Sequence, residues 1–187
     1  NNPVRPTPPM QRFDEALLLL SIPILALWVA HPFQVATGVA LLLFAGLHFM
    51  RLIRWQGHHT VSDPLVLVLH VAYVFVPLGA FLLGLTIVLD SPASTGAQHL
   101  WMTGAIGSMT LAVMTRATLG HTGQALCANR ATIAIYLCIL AAAILRAFGF
   151  LGAELSYLSG AFWLCAFVGF VLAYGPALLR PKPEKTI

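Results

Sequence analysis

Charge is what this chain lacks most. Only 9% of its 187 residues are Asp, Glu, Lys or Arg, while 59% are hydrophobic; soluble domains carry about 25% charged residues. A chain so poor in charge cannot clothe a water-facing surface, which leaves a polytopic helical membrane protein. Carboxylates are scarcest of all. Asp14 and Glu15 flank the first apolar run, Asp63 and Asp90 fall in turns, and Glu154 is in a loop. That placement argues against a two-carboxylate hydrolase and against an acidic proton path. There are three cysteines, an odd number without short spacing, so neither a disulfide framework nor a zinc ribbon is expected. Cys127 falls in a loop, and Cys138 and Cys165 read as small buried residues of apolar runs. Nor is there a nucleotide-binding glycine loop or a basic-aromatic stripe. The net charge of +4 therefore does not mark a nucleic-acid partner.

What is present is a series of apolar runs at 13–30, 34–55, 64–89, 97–119, 131–151 and 157–179. Each has room for the roughly 20 residues that cross the hydrocarbon. The expected fold is all-α, a bundle of six transmembrane helices over 13–181. A Pro-rich lead (1–12) precedes it and a short tail (182–187) follows. With both termini on one side, that side carries Arg5, Arg12, Arg51, Arg54, Arg116, Arg130, Arg180, Lys182 and Lys185, and the other only Arg146. This asymmetry puts both termini in the cytoplasm. Ser62 or Asp63 before Pro64 offers the cap of a helix start, and Pro23 and Pro77 fall inside runs. The chain opens Asn-Asn-Pro, without an initiator Met or a signal-peptide layout, and reads as a processed or partial chain.

Histidine carries the chemistry. His99, Thr103, Gly107, Thr110, Met114, Thr118 and His121 are spaced 4, 4, 3, 4, 4, 3, which is one face of a regular helix. Such a stripe is expected to face other helices, a cavity or a ligand. His48 lies near the cytoplasmic end of the second run and His70 near the cytoplasmic start of the third, both roughly 10 Å deep. Two readings stay open. The pair shares a compact copper or iron site, or each ring is a packing histidine bonded to a helix carbonyl or to Tyr73. Two histidines sandwiching a haem need backbones on the order of 13 Å apart, whereas packed helices lie about 8–10 Å apart. A haem would therefore pair one of them with a non-adjacent histidine such as His121. Arg116 is either an interfacial snorkelling cation or an intramembrane one that meets water, phosphate or a haem propionate. Arg51 and Arg54 read as interfacial anchors, His58 and His59 as solvated loop residues, and His31 as interfacial.

The run HLWMTGAIGSMTLAVMTRATLGHTG (99–123) closely resembles the signature of the NnrS family of bacterial membrane proteins. LHFMRLIRW (47–55), LVLHVAYVFVPLGAFLLGL (67–85) and YGPALLRP (174–181) extend the similarity in the same order. The resemblance implies a haem- and copper-containing protein of the bacterial cytoplasmic membrane, linked to nitric oxide metabolism, denitrification and nitrosative-stress resistance. Carried over by motif, the metal-binding residues fall on His48, His70, His99 and His121. Arg116, Arg51, Tyr73 and Met114 stand beside the cofactor, haem b and/or copper. Family members have about twelve spans, so this chain matches the C-terminal six. A second six-helix half or a homodimer is the expected partner within the bilayer, and nitric oxide or a quinol the expected small ligand. An oxidoreductase acting on nitric oxide is one form this function takes. A quinol-linked b-type cytochrome subunit and a metal-free transporter or scaffold are the other two readings.

Overall fold

The structure is a computed structural model that describes residues 10–179. Among these there is no strand. The elements are α1 (Arg12–Ala30), α2 (Val35–Arg54), α3 (Pro64–Val88), α4 (Ser94–His99), α5 (Ser108–His121), α6 (Arg130–Ala147) and α7 (Ala153–Leu179). A π-helical segment, Leu100–Gly107, joins α4 to α5 without a break. Short 3-10 turns lie at Gly57–Thr60 and Gly149–Leu151. By length and composition α1, α2, α3, α6 and α7 are able to cross a membrane. The fourth expected run, 97–119, lies within the unbroken helical stretch from α4 through α5. The fifth ends earlier than expected, because α6 stops at Ala147 and the chain turns before α7. Of the expected lead and tail, 1–9 and 182–187 lie outside the described residues. So do Arg5, Arg180, Lys182, Lys185 and the end of the last family motif.

Local chemistry sets the ends of the helices. Asp63 accepts a hydrogen bond from the Leu65 backbone N–H at 3.0 Å, and Pro64 fills the first helical position, where no N–H is needed. Asn129 accepts from the Thr132 N–H at 2.9 Å and so starts α6. The longest contact is between α2 and α3, followed by that between α6 and α7. At the first of these, two backbones touch. A methyl group on Gly84 would sit 2.7 Å from the Gly38 carbonyl oxygen. Small residues make that approach possible where apolar solvent supplies no hydrophobic drive. An apolar core of Leu65, Leu111, Ile139 and Phe170 joins α3, α5, α6 and α7. Leu19, Ile22 and Val29 of α1 and Leu164, Val171 and Leu172 of α7 are exposed, as a hydrocarbon-facing surface requires.

The π segment corrects the reading of the polar stripe. Spacings of 4, 4, 3 keep one face only at 100° per residue, and a π turn, with its i→i+5 bonds, advances less. The buried face is instead Gly104, Ala105, Ser108, Leu111, Ala112, Thr115 and Thr118. Thr110 and Met114 lie outward in a groove of about 540 Å³ beside Val76, Trp101 and Met109. Thr118 alone of the stripe is buried, and His121 is exposed. The cysteines are all free, as expected. Cys138 is half-buried and Cys165 faces outward, so the expectation that both are buried fails.

The groove between α3 and the π segment is tight because Gly104 receives the Phe75 ring where its own side chain would be. Gly104→Ala is expected to lower unfolding free energy in detergent by about 1–3 kcal/mol through overpacking. Gly46→Ala, with nothing within 4 Å, is expected to be neutral or to stabilise by up to about 1 kcal/mol. Thermal or denaturant unfolding of the two variants checks the contrast.

Candidate functional site

Three helices bring a polar group together inside the apolar bundle. On α1, Asp14, Leu17 and Ser21 are spaced 3 and 4, so they share a face. Asp14 and Leu17 on that face are buried. On α2, His48 and Arg51 are one turn apart, as are His70 and Tyr73 on α3. Ser21 and Tyr73 each lie nine residues into their helices, and His48 six residues before the end of α2. That places them at a common depth of roughly 9–14 Å.

The hydrogen bonds have one consistent direction. Ser21 Oγ donates to the Leu17 carbonyl at 2.8 Å, so it accepts from His48 Nε2 at 3.1 Å. His48 Nδ1 is then unprotonated and accepts from the Tyr73 hydroxyl at 2.7 Å. Tyr73 in turn accepts from Arg51 Nη1 at 3.2 Å. Arg51 Nε lies 3.0 Å from Asp14 Oδ1, and both side chains are nearly buried. Asp14 Oδ2 also accepts from the backbone N–H of Gln11 at 3.1 Å. The Arg51 guanidinium lies 4.8 Å over the Trp55 ring, and Trp55 in turn packs on Tyr73 at 4.5 Å. While Arg51 Nε meets Asp14 as an ion pair and not through a hydrogen bond, this order of donors holds His48 as a neutral imidazole protonated at Nε2. Both its ring nitrogens are engaged.

His70 is held differently. Its Nδ1 lies 3.1 Å from the Val66 carbonyl. A carbonyl only accepts, so the proton sits on Nδ1 and the lone pair of Nε2 is left for another partner. This is the arrangement in which metal-ligating imidazoles are held. The ring packs edge-on to Trp55, and Gly57 lies against it: a methyl group there would sit 2.7 Å from His70 Cδ2.

The expected residues therefore separate. Arg51, Tyr73 and His48 come together, joined by Asp14 and Ser21. Between His48 and His70 stand Tyr73 and Trp55. Of the two readings held open, a shared metal site and packing histidines bonded to Tyr73 or a helix carbonyl, the contacts observed are those of the second. His99 is at the far end of the bundle, where its Nε2 accepts from Arg146 at 3.0 Å. His121 is exposed at the end of α5, Arg116 is half-buried and Met114 lies on the outer groove. Among the described residues no three His, Cys, Asp or Glu side chains form a group able to hold a metal ion. His70 Nε2 is available as a single imidazole donor to a metal. Asp14, taken from its sequence position as a flanking residue, is part of the site. Its 3 and 4 spacing to Leu17 and Ser21 was the readable signal.

Removing one member of this network leaves a buried charge or lone pair unmet. Asp14→Asn is expected to cost about 3 kcal/mol of unfolding free energy and Tyr73→Phe about 1–3 kcal/mol. The double variant should lose less than the sum by at least about 0.5 kcal/mol. Strict additivity in a denaturant cycle would break the link between the two.

The family model described as NnrS protein matches residues 2–182. No curated protein and no solved structure matches the chain.

Proposed function

The chain belongs to the NnrS family, and from that premise we propose that it is a multi-pass protein of the bacterial cytoplasmic membrane that handles nitric oxide at a haem or copper centre. The stretch from α4 through α5 is the fourth of six crossings. Arg12, Arg51, Arg54, Arg116 and Arg130 lie at the cytoplasmic end and Arg146 at the other. The observation that carries the reading is His70, whose Nδ1 is tied to the Val66 carbonyl so that Nε2 is the donor this chain offers to iron. A reduced haem or copper centre, when bound, supplies the metal that captures nitric oxide, a small uncharged gas that concentrates in apolar surroundings.

The protein's own residues do the rest. Gly57 and Trp55 set the plane of the His70 ring. Asp14, Arg51, Tyr73, His48 and Ser21 lock α1 and α2 onto α3 near His70, and they keep a cation and an orderly row of protons beside it. His121, exposed at the end of α5, is an imidazole that a ligand from outside this bundle can meet. Further ligands, including any needed for copper, come from a second six-helix half or a second copy of the chain.

Iron and copper analysis with a reduced-minus-oxidised spectrum of the purified protein tests this. Stoichiometric metal and a reducible chromophore are expected. His70→Ala should lower metal affinity by more than the roughly 10–100-fold typical of losing a mere supporting bond, and His58→Ala should not. Absence of metal, or metal unaffected by His70→Ala, would overturn the assignment.

A further inference from the structure

The opposite end of the bundle holds a second polar group. Arg146 Nη1 donates to Ser156 Oγ at 2.7 Å and Nη2 donates to His99 Nε2 at 3.0 Å. His99 is thereby protonated on Nδ1, and the Ser156 hydroxyl hydrogen is left to donate. All the remaining hydrogens of this trio are donors. Among the described residues no carboxylate lies within ion-pair distance of Arg146. A guanidinium near hydrocarbon without a counter-ion is costly, so the trio is built for an anion.

Space is reserved for one. His99 and Arg146 line a small pocket of about 150 Å³ with Thr95, Gly96, Gly149 and Phe150. A methyl group on Gly149 would lie 2.6 Å from Ser156 Oγ and 3.4 Å from Arg146 Nη1, so glycine keeps the cradle open. Gly96 and Phe150 also wall a larger cavity of about 550 Å³ between α3, α4 and α6. That cavity runs along α3 from Val71 to Thr86, roughly 22 Å of helix. Apart from Thr86 its lining is apolar, with Phe75, Leu78, Leu100 and Ile144 among its walls.

We propose that these two adjoining spaces form a binding site for an anionic phospholipid. The phosphate sits on Arg146, His99 and Ser156, and an acyl chain lies in the cavity between α3 and α6. A free phosphate has no use for the long apolar chamber, and a neutral quinone head leaves the guanidinium charge unmet. His99 belongs to this site, so metal content does not depend on it.

The test is thermal unfolding of the delipidated full chain in detergent, with phosphatidylglycerol, phosphatidylcholine, inorganic phosphate or a short-chain quinone added in turn. Phosphatidylglycerol is expected to raise Tm by several degrees more than phosphatidylcholine, with no response to inorganic phosphate or the quinone. Arg146→Gln should erase the difference. Ile144→Trp, at a half-exposed position (50%) on the cavity wall, should erase it too by blocking the chamber while leaving Arg146 in place, and it carries the test if Arg146→Gln does not fold. Equal stabilisation by both lipids, persistence of the difference in the variants, or an equal response to inorganic phosphate or to the quinone would overturn the proposal.

Discussion

A guanidinium held inside an apolar bundle governs this structure. Arg51 projects from the last turn of α2 into a space where water cannot neutralise it. Its charge is met by Asp14 of α1, and one of its N–H groups donates to Tyr73 of α3. Such a pair is not a source of net stability, because desolvation offsets most of the attraction. What it supplies is geometry. Any slide or rotation of one helix relative to the other two would strand a buried charge. The first turn of α1, the last of α2 and the first half of α3 therefore hold one register. The proton position on His48 follows from that register through Tyr73 and Ser21.

Much of the helical architecture was legible because apolar length is a property of the chain alone. The boundaries of α1, α2 and α3 fall within a residue or so of the apolar runs, and Asp63-Pro64 starts α3 as capping chemistry dictates. The stripe from His99 to His121 misled for a definite reason. Its regular spacing assumed 100° per residue, and the segment Leu100–Gly107 is π-helical. Gly79 and Gly104, which admit Trp101 and Phe75, let that segment lie close on α3.

The site was half legible. His48, Arg51, Tyr73 and His70 could be singled out because polar groups at membrane depth need partners. Which partner each takes depends on how α2 and α3 cross, and that turns on the backbone contact of Gly38 with Gly84. One turn of offset gives His48 to Tyr73 and leaves His70 to its own helix. Asp14 was passed over because it stands one turn from the start of its helix, where acidic residues are ordinary. The two ends of the bundle consequently divide their roles. One carries an imidazole with an open Nε2 beside an ion-paired arginine, and the other carries donors around a cation with no carboxylate near it.

The proposed function puts an imidazole-held metal at the centre of the chemistry, and it rests on membership of the NnrS family and on the state of the His70 ring. The most direct measurement is electron paramagnetic resonance of the reduced protein exposed to nitric oxide, with histidine labelled uniformly with nitrogen-15. The account predicts a nitrosyl signal whose fine structure changes with the label. A silent sample, or a nitrosyl signal indifferent to the isotope, would contradict it.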